Sequence, residues 1–207
     1  TRVRSSAASD VYKRQGLSVP DTAVSDLSPL KGMPLGHLVC NDTPVSDLSP
    51  LKGMPLTYLA CGQTKVSDLS PLKDMKLTYL AIHQTETADL SPLRGMPLEF
   101  LGFASTQVTD LSPLKEAKLT RLECQYTKLS DLSPLKDMKL AVLWCNRTSI
   151  TDLSPLKNMP LKELRYDFDP KRDAEIIRLL QGIPTLEKVN DQAAAEYLKH
   201  TGAAPPP

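Results

Sequence analysis

The pentapeptide Asp-Leu-Ser-Pro-Leu occurs seven times, starting at Asp26, Asp47, Asp68, Asp89, Asp110, Asp131 and Asp152. Each copy begins 21 residues after the one before, with no insertion or deletion. A fixed period of this length excludes a domain wrapped around one central core. Each unit is too short to bury its own apolar residues and must stack on its neighbours.

One unit shows how the stacking works. Its apolar positions read Leu56-x-x-Leu59-x-Cys61-x-x-Thr64-x-Val66. Leu59 and Cys61 alternate with Tyr58 and Ala60, the period-2 pattern of a short strand with one buried face. Cys61 is expected inside and Tyr58 outside. Ser70 can cap and Pro71 suits a first helical position, so Ser-Pro-Leu-Lys predicts one short helical turn. Only a few residues separate Lys73 from Leu77, which favours a 3-10 turn over an α-helix. Stacked units then bury Leu56, Leu59, Val66, Leu69, Leu72 and Met75 together. Eight parallel strands are expected, centred on Leu17, Leu38, Leu59, Leu80, Leu101, Leu122, Leu143 and Leu164.

The motif L-x-x-L-x-(L/C)-x-x-(N/T)-x-(V/I/L)-x-D-L-S-P-L resembles the leucine-rich repeat family in its short, bacterial, internalin-like form. The resemblance implies an α/β solenoid: a right-handed superhelix with a parallel sheet on the concave face, 3-10 turns on the convex face and an α-helical C-terminal cap. The departure is threonine at the usual asparagine position, from Thr22 to Thr148. A threonine hydroxyl still bonds to backbone at the corner, with fewer donors than an amide. The repeats and the Arg172 to Arg178 segment also resemble those appended to bacterial serine/threonine protein kinases.

The array is assigned to residues 16–167. Residues 5–15 resemble no repeat and match a translated sequencing adaptor, so residues 1–15 are expected to be a disordered scar. The scar interrupts a unit, and a fragment of a longer protein is expected. Residues 168–201 read as the C-terminal cap. Asp169 and Pro170 open one helix that Gly182 ends, residues 186–190 could form a last strand, and Asp191 caps a second helix. Residues 202–207 are a Pro-rich linker or tail.

Charge and chemistry exclude several functions. The 25 basic and 24 acidic residues include four basic and one acidic in the first 15, so the remainder holds 21 and 23. No basic excess points to nucleic acid. No apolar run approaches a membrane span, so no membrane insertion is expected of this stretch. Cys40, Cys61, Cys124 and Cys145 share one inward position and lack metal-ligand spacing, which makes them core residues. As free thiols they favour a reducing, cytoplasmic compartment. The aspartate row is assigned to turn capping rather than calcium, with the row from Lys31 to Lys157 partly offsetting its charge. His37, His83 and His200 are isolated. No nucleotide, protease or kinase signature is present. No catalytic residue, metal ligand or cofactor is assigned.

Binding chemistry is concentrated on the outward strand positions. Tyr58, Tyr79 and Phe100 stand beside small residues, an arrangement that predicts a shallow apolar groove. Later units gather Arg121, Glu123, Tyr126, Trp144, Arg147 and Arg165, types frequent at binding hot spots, with Trp144 as the expected anchor. The sequence therefore reads as a non-catalytic module for a protein or peptide ligand. The alternatives are a sensor or docking arm of a kinase, and a structural spacer.

Overall fold

The computed structural model describes residues 16–167 and 174–199. The expected residues of the adaptor scar, of the Pro-rich tail and of the Asp169 helix cap lie outside these. Eight strands fall where the alternation places them: β1 Gly16–Ser18, β2 His37–Val39, β3 Tyr58–Ala60, β4 Tyr79–Ala81, β5 Phe100–Gly102, β6 Arg121–Glu123, β7 Val142–Trp144 and β8 Glu163–Arg165. They pair in parallel and in chain order, with leucine opposite leucine from Leu17 to Leu164. In β3 to β8 the central leucine is buried and the preceding residue half-buried. Cys61 is buried and Tyr58 lies on the opposite face of its strand.

Behind the sheet, each Ser-Pro-Leu forms a single 3-10 turn, from Ser28–Leu30 to Ser154–Leu156. The serine is not the cap expected of it. It is the first residue of the turn, and the residue before it makes no side-chain cap bond. Aspartate takes the capping role instead. Asp68 Oδ1 accepts the Ser70 N–H at 2.8 Å and Asp68 Oδ2 accepts the Ser70 hydroxyl at 2.7 Å. The other six copies make the same pair of bonds. A carboxylate suits the place because the turn's first N–H groups have no partner within the turn.

Sequence also sets the path of the chain after the turn. In five units, Lys or Arg in extended backbone precedes a residue at positive φ: Gly32, Gly53, Asp74, Gly95 or Asp137. These are type II turns, which need a residue tolerant of the left-handed region. Glu116 and Asn158 occupy the place in the other two units. There Lys115 and Lys157 turn into the right-handed helical region and the positive φ disappears.

The leucines, cysteines, valines and methionines form one continuous core along the array. The first described coil is different. Leu17, Val19, Val24 and Leu30 are only partly buried, while Leu38, Cys40, Val45 and Leu51, one unit later, are fully enclosed. At the other end, α1 Ala174–Gln181 packs Ile177 and Leu180 onto the core. β9 Lys188–Val189 extends the parallel sheet beside β8, as expected of a last strand. The second helix is shorter than expected and Asp191 does not cap it. Asn190 and Asp191, at φ 49° and 67°, instead form a two-residue hairpin to β10 Gln192–Ala193, and only Ala194–Tyr197, α2, is helical. Two consecutive left-handed residues suit a type I′ hairpin, and Asn and Asp tolerate them. No described helix is long and apolar enough to cross a membrane.

Leu101 is fully buried. Leu101→Ala should destabilise the protein by about 2–5 kcal/mol, read by denaturant titration. A loss under about 1 kcal/mol would contradict the packing. Amide hydrogen exchange should be faster around Leu17 and Val24 than around Leu101 and Val108, because among the described residues the first coil is covered on one side only. Equal protection would show that the open side of the first coil is covered.

Candidate functional site

On the sheet face, in-register pairing turns the sequence period into columns. The first column brings His37, Tyr58, Tyr79, Phe100, Arg121, Val142 and Glu163 side by side. The Tyr58 and Tyr79 rings stack at 4.0 Å between centroids, and Tyr79 and Phe100 at 4.2 Å, with interplanar angles of 9° and 6°. These spacings are below the roughly 4.8 Å between strands, so the rings lean together. Each such pair adds about 0.5–1.5 kcal/mol beyond area burial. His37 continues the row, tilted by 39°.

The second column brings Ala60, Ala81, Gly102, Glu123, Trp144 and Arg165 together. The two columns join at Arg121. Its guanidinium lies 5.9 Å from the Phe100 centroid and 4.4 Å from that of Trp144, and Arg165 covers Trp144 at 3.8 Å. Carboxylates hold both arginines. Glu123 Oε1 lies 2.6 Å from Arg121, and Asp191 Oδ1 lies 2.6 Å from Arg165. Trp144 donates its indole N–H to Glu163 at 2.7 Å. Trp144, the expected anchor, is half-buried. Both arginines lie over its ring and its one donor is used. Tyr126 and Arg147 are the exposed members of this cluster, with Tyr126 59% accessible.

Tyr126 and Arg147 belong to a flanking column whose backbone conformation the sequence did not reveal. Asp21, Asp42, Gln63, Gln84, Ser105, Tyr126 and Arg147 all have φ between 53° and 59°. Each sits where the chain leaves the strand, one residue before the corner threonine. Left-handed backbone costs a residue with a Cβ roughly 1 kcal/mol, yet glycine fills none of the seven places. Only Asp21 and Asp42 hint at the conformation; Tyr126 and Arg147 do not. The corner itself is locked as expected, with each threonine hydroxyl donating to the carbonyl three residues back at 2.7 to 2.9 Å.

His83 is not isolated. A Cβ built on Gly102 would lie 2.2 Å from the His83 ring, so the imidazole occupies the space that other units give to a side chain. His83 Nδ1 accepts the Ala104 N–H at 3.2 Å, which leaves the proton of the neutral ring on Nε2, 3.6 Å from Glu123. Burial holds its pKa below the usual histidine value, against the pull of Glu123. The expected groove beside Tyr58 and Tyr79 exists, but it is not apolar. It is a cup of about 240 Å³ whose wall includes Asn41, Asp42, Gln63, Gln84 and His83.

Two other rows carry no site chemistry of their own. Hydrogen bonds from serine keep Asp26, Asp47, Asp89, Asp110 and Asp131 below the ordinary value of 3.8. The hydroxyl is the larger influence on Asp47, Asp89 and Asp110, and the backbone N–H on Asp26 and Asp131. Among the described residues no ion pair joins the row from Lys31 to Lys157 to a carboxylate, although Arg94 lowers the Asp110 pKa slightly. The four cysteines are free and buried, and burial pushes Cys40 up to about 11 and Cys124 to about 12. Thiols this enclosed are inert, so they give no support to a reducing compartment. Among the described residues no group of three His, Cys, Asp or Glu is placed to hold a metal ion.

Solved structures with the same architecture exist. Internalin C2 from Listeria monocytogenes superposes with a TM-score of 0.68 at 31% identity, over 70% of this chain and 66% of that one. The internalin InlF from the same organism gives a TM-score of 0.64 at 23% identity, over 87% of this chain and 61% of that one. The chain thus spans just under two thirds of the length of these relatives. No protein-family model matches it, and no curated protein does.

The strain in the corner column has a measurable sign. Tyr126→Gly should stabilise the protein by about 0.5–1 kcal/mol, because glycine tolerates positive φ and the exposed ring contributes little packing. A lower denaturation midpoint would mean that the Tyr126 side chain supports the fold.

Proposed function

Since this chain is a leucine-rich repeat protein built on the short internalin-type unit, we propose that it is a non-catalytic binding module whose sheet face holds a protein or peptide partner. One observation carries the reading. Tyr126 and Arg147 stand exposed at backbone positions that glycine would fill at lower energy. They stand beside a rigid platform of stacked rings and paired arginines. Exposed tyrosine and arginine on a preorganised surface are the residue types that contribute most at interfaces. The platform residues Tyr58, Tyr79, Phe100, Arg121, Glu123, Trp144 and Arg165 fix the shape of that surface, while Tyr126 and Arg147 reach beyond it. A docking arm of a serine/threonine kinase would use the same face. A structural spacer would leave it uncovered.

The test replaces Tyr126, and separately Lys73 behind the sheet, with a photoreactive phenylalanine analogue in the otherwise intact protein. Irradiation in a lysate of the source cells should yield a discrete adduct from position 126 and none from position 73. That adduct should disappear when Arg147→Ala is added. An adduct from position 73 alone would move the site to the turn face, and none from either would favour the spacer.

A further inference from the structure

The sheet face answers the same chemical question differently at its two ends. In β5 to β8, arginine guanidinium groups lie against aromatic rings and are held by carboxylates: Arg121 with Glu123, and Arg165 with Asp191. In β3 and β4 the aromatics Tyr58 and Tyr79 are present, and a carboxylate, Asp42, stands on the rim, but among the described residues no Lys or Arg lines the cup. Among the described residues Asp42 takes part in no ion pair. Where β6 and β7 carry Glu123 and Trp144, β3 and β4 carry Ala60 and Ala81. These small residues leave the 240 Å³ cup unfilled.

We propose that this cup receives an arginine side chain of the partner. The proposal rests on the binding-module reading and names the chemistry of one contact within it. The residues that line the cup can supply acceptors: the Asp42 carboxylate, which only accepts, and the amide oxygens of Gln63 and Gln84 and the tyrosine hydroxyls, which can accept. A guanidinium carries five N–H donors and no acceptor, in a planar fork that matches a carboxylate. Tyr58 and Tyr79 spend one ring face on each other, Phe100 takes the second face of Tyr79 and His37 lies against Tyr58, so recognition runs through the tyrosine hydroxyls and edges and through the opposite rim. His83 closes the end of the cup, held by the Ala104 N–H in the space that Gly102 leaves open. Asp42 and both glutamines sit at left-handed corner positions, which sets their side chains along one edge of the cup.

The test uses N-acetyl-arginine methylamide as the probe and isotope-labelled protein. Titration should shift the Gly62 amide and the Ala60 and Ala81 methyl resonances saturably, with a dissociation constant on the order of millimolar, as for a small fragment held by few contacts. The citrulline analogue, which has the same shape and no charge, should bind about tenfold more weakly, and so should the arginine probe to Asp42→Asn. Asparagine tolerates positive φ, so this variant keeps the corner. Citrulline binding equal to arginine, a lysine probe binding as well as arginine, or shifts confined to β6–β8 would each overturn the proposal. No shift at Gly62 together with an intact crosslink from position 126 would remove the arginine cup and leave the binding module standing.

Discussion

Almost every coil of this protein is tied to the next by backbone hydrogen bonds between residues 20 or 21 apart, such as Cys40 N–H to the Ala60 carbonyl and Thr57 N–H to the Gly36 carbonyl. No coil can satisfy its strand alone, and no coil can enclose its leucines alone. The two requirements are met together only if the period never changes. One extra residue would shift a strand by one place and turn its buried leucine to solvent. The aspartate and threonine of each unit serve this phase. Aspartate fixes where the turn begins and threonine fixes where the strand ends.

Constant spacing has a second result on the sheet face. Side chains in a column are forced to within about one strand spacing of each other, so each must suit both neighbours. Aromatics follow aromatics until Phe100, and the change to charge is made by Arg121, which can stack on a ring and pair with a carboxylate at once. The buried Glu123 is tolerable because Arg121 neutralises it. The face is therefore a stiff surface with a polar cup at one end and a paired-charge platform at the other.

Much of this was legible in the residues. The strand centres, the inward cysteines, the capping aspartates and the stacked column follow from a period of 21 and an alternation of 2. What was hidden depended on contacts across units or on backbone torsion. The cluster around Trp144 was legible, but not that its indole N–H goes to Glu163 or that two guanidinium groups lie over its one ring. His83 looked isolated because Gly102, whose missing side chain makes room for it, lies in the next unit. The left-handed corner was invisible because tyrosine, arginine and glutamine give no signal for positive φ. The hairpin at Asn190 and Asp191 was misread because aspartate before an apolar stretch serves equally as a helix cap or as a turn residue.

The hydrogen bonds between strands point along the long axis of the stack, and this gives the protein a mechanical character. Tension applied along that axis is carried by the coil junctions in series, so the load reaches every junction undiminished and the weakest yields first. Shear across the strands would instead be shared by many bonds in parallel. A stack of coils like this is stiff as a surface and compliant as a tether, and it lengthens in steps, one coil at a time.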